Sequence, residues 1–335
     1  LLYPIDKNYL KLGNFINPDD LAAVEQISES LNFEEITCYE KNEVKIGEHT
    51  LAGTLRFYGK GNLEINSYNL QTLRRYFRSA LLTQIAFERI LNHKKYDCVV
   101  VDHGLYVPQG ILSEVANSKK INTKVIWQGY KENSLLISDK ITYHKSLITE
   151  SEDHWKNYNF DENKRKKILN YLEQRNSGTS DWFSFNKNPN MDVDSFKKKY
   201  QIKNKIISLM TSVIWDAQLK FEQNIFKNQM EWLYFTIDHF QKKQNIDLII
   251  RVHPAEIRGD VPSAQKIKNE IFKKYNSLPE NIKIIDADNP FSSYKLAEIS
   301  ETILVYATKL SFEVPAYFGK NTIVCGEAFA KNIKI

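Results

Sequence analysis

The sequence predicts an α/β fold of two Rossmann-like domains whose parallel sheets face each other across a cleft. In the first half, apolar runs at 97–101 and 123–127 flank a helical segment at about 108–119, which is the spacing of a β-α-β unit. In the second half, five strand-like runs alternate with four helical segments between residues 205 and 325. Such alternation indicates a parallel sheet with helices on its faces.

A polar stretch at 175–195 separates the two halves. It is rich in Asn, Ser, Gly, Asp and Pro and shows little periodicity, as interdomain segments commonly do. We therefore expect a first domain over residues 1–185 and a second domain over residues 186–335.

The helices of the first domain are predicted from start signals and apolar spacing. The sequence from Asn17 to Asp20 is a helix start, and a helix is expected over 21–31. Residues 69–92 carry apolar side chains every three to four positions, which predicts a long amphipathic helix. A charged helix is expected over 151–173, ahead of the polar stretch.

The strands of the second domain are short apolar runs bounded by polar residues, and its helices show the three-to-four spacing. In chain order we predict strand 205–210, helix 219–243, strand 246–251, helix 264–275, strand 282–285, helix 292–299, strand 302–306, helix 310–318 and strand 321–325.

The composition excludes several classes of protein. A net charge of +5 on 335 residues is a mild basic excess and not a nucleic-acid signature. The chain contains no GxxxxGK[ST] phosphate loop and no HExxH zinc motif. Its three cysteines show no CxxC spacing, so we expect no disulfide framework, with Cys98 and Cys325 buried. No run reaches the ~20 apolar residues of a membrane span, and no signal peptide is recognised.

The most informative polar cluster follows strand 246–251. The sequence there is Arg251-Val252-His253-Pro254-Ala255-Glu256, in which Pro254 ends the strand and leaves His253 at its tip. A histidine at this place can donate to phosphate oxygens, and Arg251 can add a permanent charge. The alternatives are a purely structural histidine and an arginine that serves an ion pair.

Two serines open the predicted helix 292–299. Ser292 and Ser293 are good helix caps, and a helix start rich in serine can also hold a phosphate group. Capping alone is the alternative interpretation.

A third cluster follows strand 302–306, which ends at Tyr306. Thr308 and Lys309 begin the next helix, where free N–H groups and the hydroxyls of Thr308 and Ser311 suit a diphosphate. Glu313 lies one turn further and could accept from ribose hydroxyls. A capped helix with a surface glutamate is the alternative.

In the first domain, Asp102-His103-Gly104 follows strand 97–101. A histidine or aspartate at a strand tip is a natural general base, and Gly104 permits a sharp turn or the close approach of a ligand. The sequence leaves open which of Asp102 and His103 is the base. Trp127 and Gln128 end strand 123–127 and suit a sugar face, although core packing of Trp127 is the stronger alternative.

The metal-binding triplet DxD occurs twice, at 192–194 and at 286–288. The first falls in the polar stretch and the second leads into Asn289-Pro290, so we interpret both as turns. We expect no metal, and the charge of a leaving group must then be met by helix dipole, histidine and arginine.

Together these segments resemble the bacterial capsule polysaccharide biosynthesis proteins, a family of GT-B fold that transfers sugars in surface-glycan assembly. The resemblance covers Leu248–Glu256, Leu278–Ile285, Ser292–Leu296 and Val305–Ala328, and more loosely Val101–Pro108, Trp127–Tyr130 and Thr211–Asp216. The His-Pro pair is also similar to that of transferases with cytidine donors, such as the CMP-Kdo, CMP-sialic acid and CDP-glycerol enzymes.

The resemblance implies a GT-B-like, metal-independent glycosyltransferase that moves a sugar from a nucleotide-sugar donor, with cytidine favoured, to a capsule or lipopolysaccharide glycan. His253 would contact the donor phosphate, and His103 or Asp102 would activate the acceptor, a glycan or lipid-linked glycan. The residues expected to bind substrate or nucleotide are Gly104, Trp127, Gln128, Ser212, Arg251, Glu256, Ser292, Ser293, Tyr306, Thr308, Lys309, Ser311 and Glu313.

The resemblance further implies a cytoplasmic protein, with peripheral contact at the inner membrane as a further expectation. The nucleotide sugar is a co-substrate, and no cofactor or nucleic-acid partner is expected. Two alternatives stay open: a non-hydrolysing nucleotide-sugar 2-epimerase and a non-catalytic scaffold that binds a glycan or a partner. The epimerase needs several acidic residues around the sugar ring, and the sequence indicates few.

Overall fold

The computed structural model describes residues 9–149, 151, 153–179, 188–221 and 224–326. Its strands form two sheets, one in each half of the chain. The strands are β1 (Cys98–Asp102), β2 (Asn122–Gln128), β3 (Leu135–Asp139), β4 (Lys205–Met210), β5 (Ile246–Arg251), β6 (Ile282–Ile285), β7 (Thr302–Val305) and β8 (Asn321–Val324).

The described helices surround these sheets. They are α1 (Pro18–Ser30), α2 (Phe33–Thr37), α3 (Ile46–Tyr58), α4 (Ser67–His93), α5 (Gln109–Ser118), α6 (Tyr143–Thr149), α7 (Asp153–Lys156), α8 (Glu162–Ser177), α9 (Val193–Lys199), α10 (Gln229–Phe240), α11 (Ala255–Arg258), α12 (Ile267–Lys274), α13 (Ser293–Glu298) and α14 (Leu310–Phe318), with a 3₁₀ turn at Leu12–Phe15. We call residues 9–149 the first unit and residues 188–326 the second unit.

The second unit confirms the predicted parallel sheet. Its five strands run in the order β6-β5-β4-β7-β8, and every neighbouring pair is parallel. Buried apolar clusters lie on both of its faces. Chain order reverses between β4 and β7, so the crevice for a ligand is expected where the carboxyl ends of these two strands separate.

The first unit departs from the predicted parallel sheet. β1 and β2 pair in parallel, but β3 pairs with β2 in antiparallel register. Only residues 129–134 connect β2 to β3, and a connection of this length can form a hairpin but not a crossover. The α/β class is therefore confirmed, with a smaller and mixed first sheet.

One face of the first sheet is covered by helices and the other is open. Val101 and Val125 are buried beneath α5, whereas Val100 is 60 % exposed and Ile137 is 66 % exposed. Cys98 shares the open face with Val100 and is exposed, so its predicted burial is wrong; Cys325 is half-buried.

Helix boundaries differ from the predictions where capping or tertiary contacts intervene. The helix predicted over 219–243 is only α10, because Asn228 caps it by accepting from the N–H of Glu231. Leu219 instead packs against Ala52 and Leu105 of the first unit. The charged helix predicted over 151–173 is divided into α7 and α8. The predicted domain boundary at 185/186 lies outside the described residues.

The two units contact each other along the loops after α3 and β4. The Gly59 carbonyl accepts from the Ala264 N–H at 2.9 Å, and the Gly61 N–H donates to Gln265 Oε1 at 2.9 Å. The Lys220 N–H donates to Glu48 Oε1 at 2.8 Å. These hydrogen bonds fix the distance between the two strand-tip regions. Within the described residues, no helix is both long and apolar enough to cross a membrane.

Candidate functional site

The crevice of the second sheet is expected between the ends of β4 and β7, where the chain order reverses. The loop Thr211–Asp216 leaves β4, and residues 306–309 lead from β7 into α14. Ser212 ties the two together, since its Oγ donates to the Ala307 carbonyl at 2.8 Å. Tyr106 of the first unit reaches the same loop, where its hydroxyl donates to Asp216 Oδ1 at 2.8 Å.

His253 lies at the tip of β5, as the sequence predicts. Its N–H donates to Thr211 Oγ1 at 2.9 Å, and its Nδ1 accepts from the Ala255 N–H at 3.1 Å. Burial and then the charge of Arg251 lower the pKa of His253 to about 4. The ring is therefore neutral at pH 7, with its proton on Nε2, and acts there as a hydrogen-bond donor without a charge.

Lys309 lies close enough to His253 for its charge to lower the pKa of that ring further. Its Nζ lies 4.1 Å from the ring centroid of Tyr130 in the first unit and 3.9 Å from Glu313 Oε1. Burial lowers the pKa of Lys309 to about 7, and the neighbouring Arg175 adds to this effect. Arg175 Nε lies 2.8 Å from the same carboxylate oxygen. The ammonium of Lys309 and the guanidinium of Arg175 thus lie beside the same carboxylate, and cations at this place suit an anionic ligand.

The start of α14 is less open than predicted. The N–H of Ser311 donates to the Thr308 carbonyl, and that of Phe312 donates to the Lys309 carbonyl. The amide N–H of Leu310 points to Thr308 Oγ1 at 3.5 Å. The prediction of free backbone N–H groups at the start of α14 is therefore corrected. The polar groups left there for a ligand are the side chains of Lys309 and Ser311. The hydroxyl of Ser311 is buried and has no hydrogen-bond partner among the described residues.

In the first unit, His103 and Gly104 turn the chain at the tip of β1. Both residues have left-handed backbone, with φ of 57° and 66°. A Cβ on Gly104 would lie 2.7 Å from Val125, so glycine is required there for packing as well as for the turn. The His103 N–H continues the β1–β2 ladder by donating to the Ile126 carbonyl at 2.9 Å.

The His103 ring lies among aromatic side chains. Its centroid is 4.2 Å from that of Trp127, 5.4 Å from Tyr106 and 5.8 Å from His144. Burial and then the charge of His144 lower the pKa of His103 to about 4. His103 Nδ1 is buried and has no hydrogen-bond partner in the described chain.

Asp102 and Gln128 end β1 and β2 beside this ring. Asp102 is exposed and shares the open sheet face with Val100, whereas Gln128 is half-buried. Trp127 packs edge-on against His103, so it combines packing with a place in the cleft. The catalytic roles of Asp102 and His103 stay predictions.

Asp216 is a candidate site residue that the sequence analysis did not single out. It is exposed, and its negative charge raises the pKa of His103, His144 and His253, so it lies near imidazoles of both units. Its signals in the sequence are its place in the loop after β4 and the loose family resemblance of Thr211–Asp216. Neither signal indicates these neighbours, which only the folded structure reveals.

Arg251 does not offer its charge to the cleft. The side chain is 2 % exposed, and its nitrogens donate to the carbonyls of Asp286 at 2.5 Å and Asn289 at 2.9 Å and to Ser293 Oγ at 3.3 Å. Burial lowers the pKa of Arg251 to about 10. We correct its role from phosphate ligand to support of the loop 286–291, and the predicted ion-pair alternative is replaced by carbonyl contacts.

Two predicted acidic ligands have structural partners instead. Glu256 is buried, and its Oε2 accepts from the Ile267 N–H at 2.8 Å, which holds the start of α12. Glu313 is 2 % exposed and accepts from Arg175 and from the Tyr294 hydroxyl, the latter at 2.7 Å. Glu313 is therefore not placed to meet ribose, and Glu256 serves α12 instead of a ligand, so both predicted contacts are corrected.

Three hydroxyls predicted to bind ligand also have partners. Ser292 Oγ caps α13 by accepting from the Lys295 N–H at 3.2 Å, as the capping alternative states. Ser293 Oγ accepts a hydrogen bond from Arg251 Nε, and the Tyr306 hydroxyl donates to the Phe226 carbonyl at 3.3 Å. Their direct contact with a ligand stays a prediction.

The two DxD triplets serve local structure. Asp192 caps α9 by accepting from the Ser195 N–H, and Asp286 pairs with Lys268 at 2.8 Å. Within the described ranges, no group of three or more His, Cys, Asp and Glu side chains could hold a metal ion.

Comparisons with known proteins give only distant matches. No protein-family model matches the chain, and no curated protein matches it. Among solved structures, KpsC of Thermosulfurimonas dismutans, a beta Kdo 2,4 transferase, is 12% identical with a TM-score of 0.45, over 70% of both chains. UDP-bound MnaA of S. aureus is 13% identical with a TM-score of 0.29, over 85% of this chain and 76% of that one. The UDP-GlcNAc 2-epimerase of Methanocaldococcus jannaschii is 15% identical with a TM-score of 0.28, over 86% and 88%. Likeness at these values carries no argument about fold or function.

Proposed function

We propose that this protein is a metal-independent glycosyltransferase that uses a nucleotide-sugar donor, with cytidine favoured, to extend a capsule or lipopolysaccharide glycan. One observation carries the proposal: the neutral imidazole of His253 and the ammonium of Lys309 lie close to each other beside the reversal point of the second sheet. That is where open α/β sheets bind their ligands. The resemblance of the His-Pro segment to cytidine-dependent transferases supports the choice of base.

The donor's phosphate would lie between His253 and Lys309. The neutral imidazole of His253, which donates a hydrogen bond, and the partly buried ammonium of Lys309 can stabilise the charge that develops on a departing phosphate oxygen. A divalent cation does this in other transferases. The first unit would supply the acceptor side, with His103 and Trp127 at the opposite wall of the cleft.

A 2-epimerase is the second candidate, and the exposed carboxylate of Asp216 favours it, because that chemistry needs acidic groups near the sugar ring. Incubation of UDP-N-acetylglucosamine without any acceptor distinguishes the two functions. Interconversion of the sugar with no change in mass supports the epimerase, whereas hydrolysis by water to UDP and a free sugar of unchanged C2 configuration supports the transferase.

We expect His253→Ala to weaken nucleotide binding by about tenfold or more, because a hydrogen bond to a charged group contributes roughly 1.5–3 kcal/mol. The measurement is calorimetry across CMP, CDP, UDP and GDP. His239→Ala, which changes an exposed histidine on α10, is the matched control. Unchanged affinity in His253→Ala removes this residue from the site, and a wild-type protein that binds none of the four nucleotides supports the scaffold alternative instead.

A further inference from the structure

The acceptor-activating base was predicted at Asp102 or His103, and neither has favourable geometry. Asp102 shares the open face of the first sheet with Val100, which is 60 % exposed. His103 is 9 % exposed and packs against Trp127 and Tyr106. Its Nδ1 is buried, so this nitrogen is poorly placed to receive a proton from an acceptor hydroxyl.

Asp216 combines exposure with a central position. It follows β4, the central strand of the second sheet, and its carboxylate lies near His103 and His144 of the first unit and His253 of the second. The second unit is proposed to bind the donor and the first unit the acceptor. A carboxylate between them is placed where an attacking hydroxyl approaches the donor sugar.

The carboxylate of Asp216 is also held in a defined orientation. Tyr106 donates its hydroxyl to Oδ1 at 2.8 Å, and the same hydroxyl oxygen accepts from the Ala217 N–H at 3.3 Å. The Arg56 guanidinium lies over the Tyr106 ring, 4.7 Å from its centroid, and fixes that ring in turn. The described residues place no hydrogen bond on Oδ2 of Asp216. Oδ1 is therefore held by the Tyr106 hydroxyl, and Oδ2 can accept a proton.

We propose that Asp216 is the general base of the reaction and that Tyr106 is its positioning residue; this inference rests on the proposed transferase function. The acceptor's O–H proton passes to Asp216 Oδ2 while its oxygen bonds to the anomeric carbon of the donor. The bond from that carbon to the phosphate oxygen breaks, and its electron pair leaves with the nucleotide. His253 donates to that departing oxygen.

The test measures release of nucleotide from CMP-Kdo, CMP-sialic acid and UDP-N-acetylglucosamine with water as the acceptor. Asp216→Asn is expected to lower the release rate by about 10²–10⁴-fold, the usual contribution of a general base. Its affinity for CMP, measured by calorimetry, should stay within about threefold of wild type. Asp139→Asn, which alters an exposed carboxylate on β3, is the control and should keep the wild-type rate.

Two further variants separate catalysis from structure. Asp216→Glu keeps a displaced carboxylate and should retain more activity than Asp216→Asn. Tyr106→Phe should lower the release rate moderately and leave the affinity for CMP within about threefold of wild type, because the carboxylate loses only the hydrogen bond that orients it.

The outcomes distinguish this inference from the proposed function. A release rate in Asp216→Asn within threefold of wild type overturns the assignment, and so does a parallel loss of rate and CMP affinity, which would mark a structural role. If wild-type protein binds no nucleotide, the transferase function fails and this inference fails with it. If wild-type protein binds and cleaves a donor, and the Asp216 variants release nucleotide at the wild-type rate, the transferase function stands and the base is another residue.

Discussion

Replacing Glu313 with glutamine is expected to lower the free energy of unfolding by about 3–5 kcal/mol. The carboxylate is 2 % exposed and faces Arg175 at 2.8 Å and Lys309 at 3.9 Å. An amide of the same size leaves no cavity, so the cost comes from two half-buried cations that lose the charge of this carboxylate. Urea unfolding followed by far-UV circular dichroism measures the change.

The matched control is Glu162→Gln on α8. Glu162 pairs with Arg165 at 3.5 Å, and both side chains are more than half exposed, so its loss should cost less than about 1 kcal/mol. The double variant Arg175→Met/Glu313→Gln should be less destabilised than the sum of its single variants, because each single change already removes the same ion pair. A cost for Glu313→Gln as small as that of Glu162→Gln would contradict this account.

The Arg175–Glu313 pair also shows why residue roles on α14 could not be read from the sequence. Arg175 lies 138 positions before Glu313, in a stretch that reads as an interdomain segment. No local pattern indicates that α8 packs against α14. Glu313 was therefore interpreted from its own helix alone, as a surface group or a ribose ligand. Long-range ion pairs leave no periodic signal, and single-sequence reasoning misses them.

The second sheet was predictable for the opposite reason. Its strands β4, β5 and β7 are largely buried on both faces, so they appear as continuous apolar runs. The predicted strands 205–210, 246–251 and 282–285 match the structure at both ends. The antiparallel β3 was missed because it is open on one face: Leu135 is 67 % exposed and Ile137 is 66 % exposed. α3 was missed as well, since its buried side includes polar residues such as His49 and Thr50.

The chain positions of the candidate residues could be predicted, and their contacts only in part. The strand-tip rule led to His103, His253 and Lys309, which follow β1, β5 and β7 as expected, and their roles in a site stay predictions. The rule cannot distinguish a side chain that faces the crevice from one that supports the loop behind it. Arg251 demonstrates this, since its position fits a ligand and its hydrogen bonds serve carbonyls.

Nucleotide affinity should fall as the pH rises above 7, and Lys309 is the reason. Burial lowers the pKa of this lysine to about 7, so it is about half charged at pH 7 and about 1% charged at pH 9. An anionic phosphate binds the charged form, so the dissociation constant should be roughly 50-fold higher at pH 9 than at pH 7. The affinity is therefore greatest below the pKa that Lys309 has in the protein without bound nucleotide, and it declines above that pH.

Ionisable groups from several elements surround Lys309. Glu313 lies on the same helix, Arg175 on α8, Tyr130 after β2 and His253 after β5. Arg175 stays charged throughout, burial raises the pKa of Tyr130 to about 12, and burial holds the pKa of His253 near 4. The nucleotide's own phosphate has its second pKa near 6 and is fully ionised over most of the range.

Calorimetry with CMP at pH 7, 8 and 9 measures how the affinity changes with pH in wild type and in Lys309→Met. The variant should bind CMP weakly and with no slope above pH 7; an equal slope in both proteins would assign the titration to another group and remove Lys309 from the anion site.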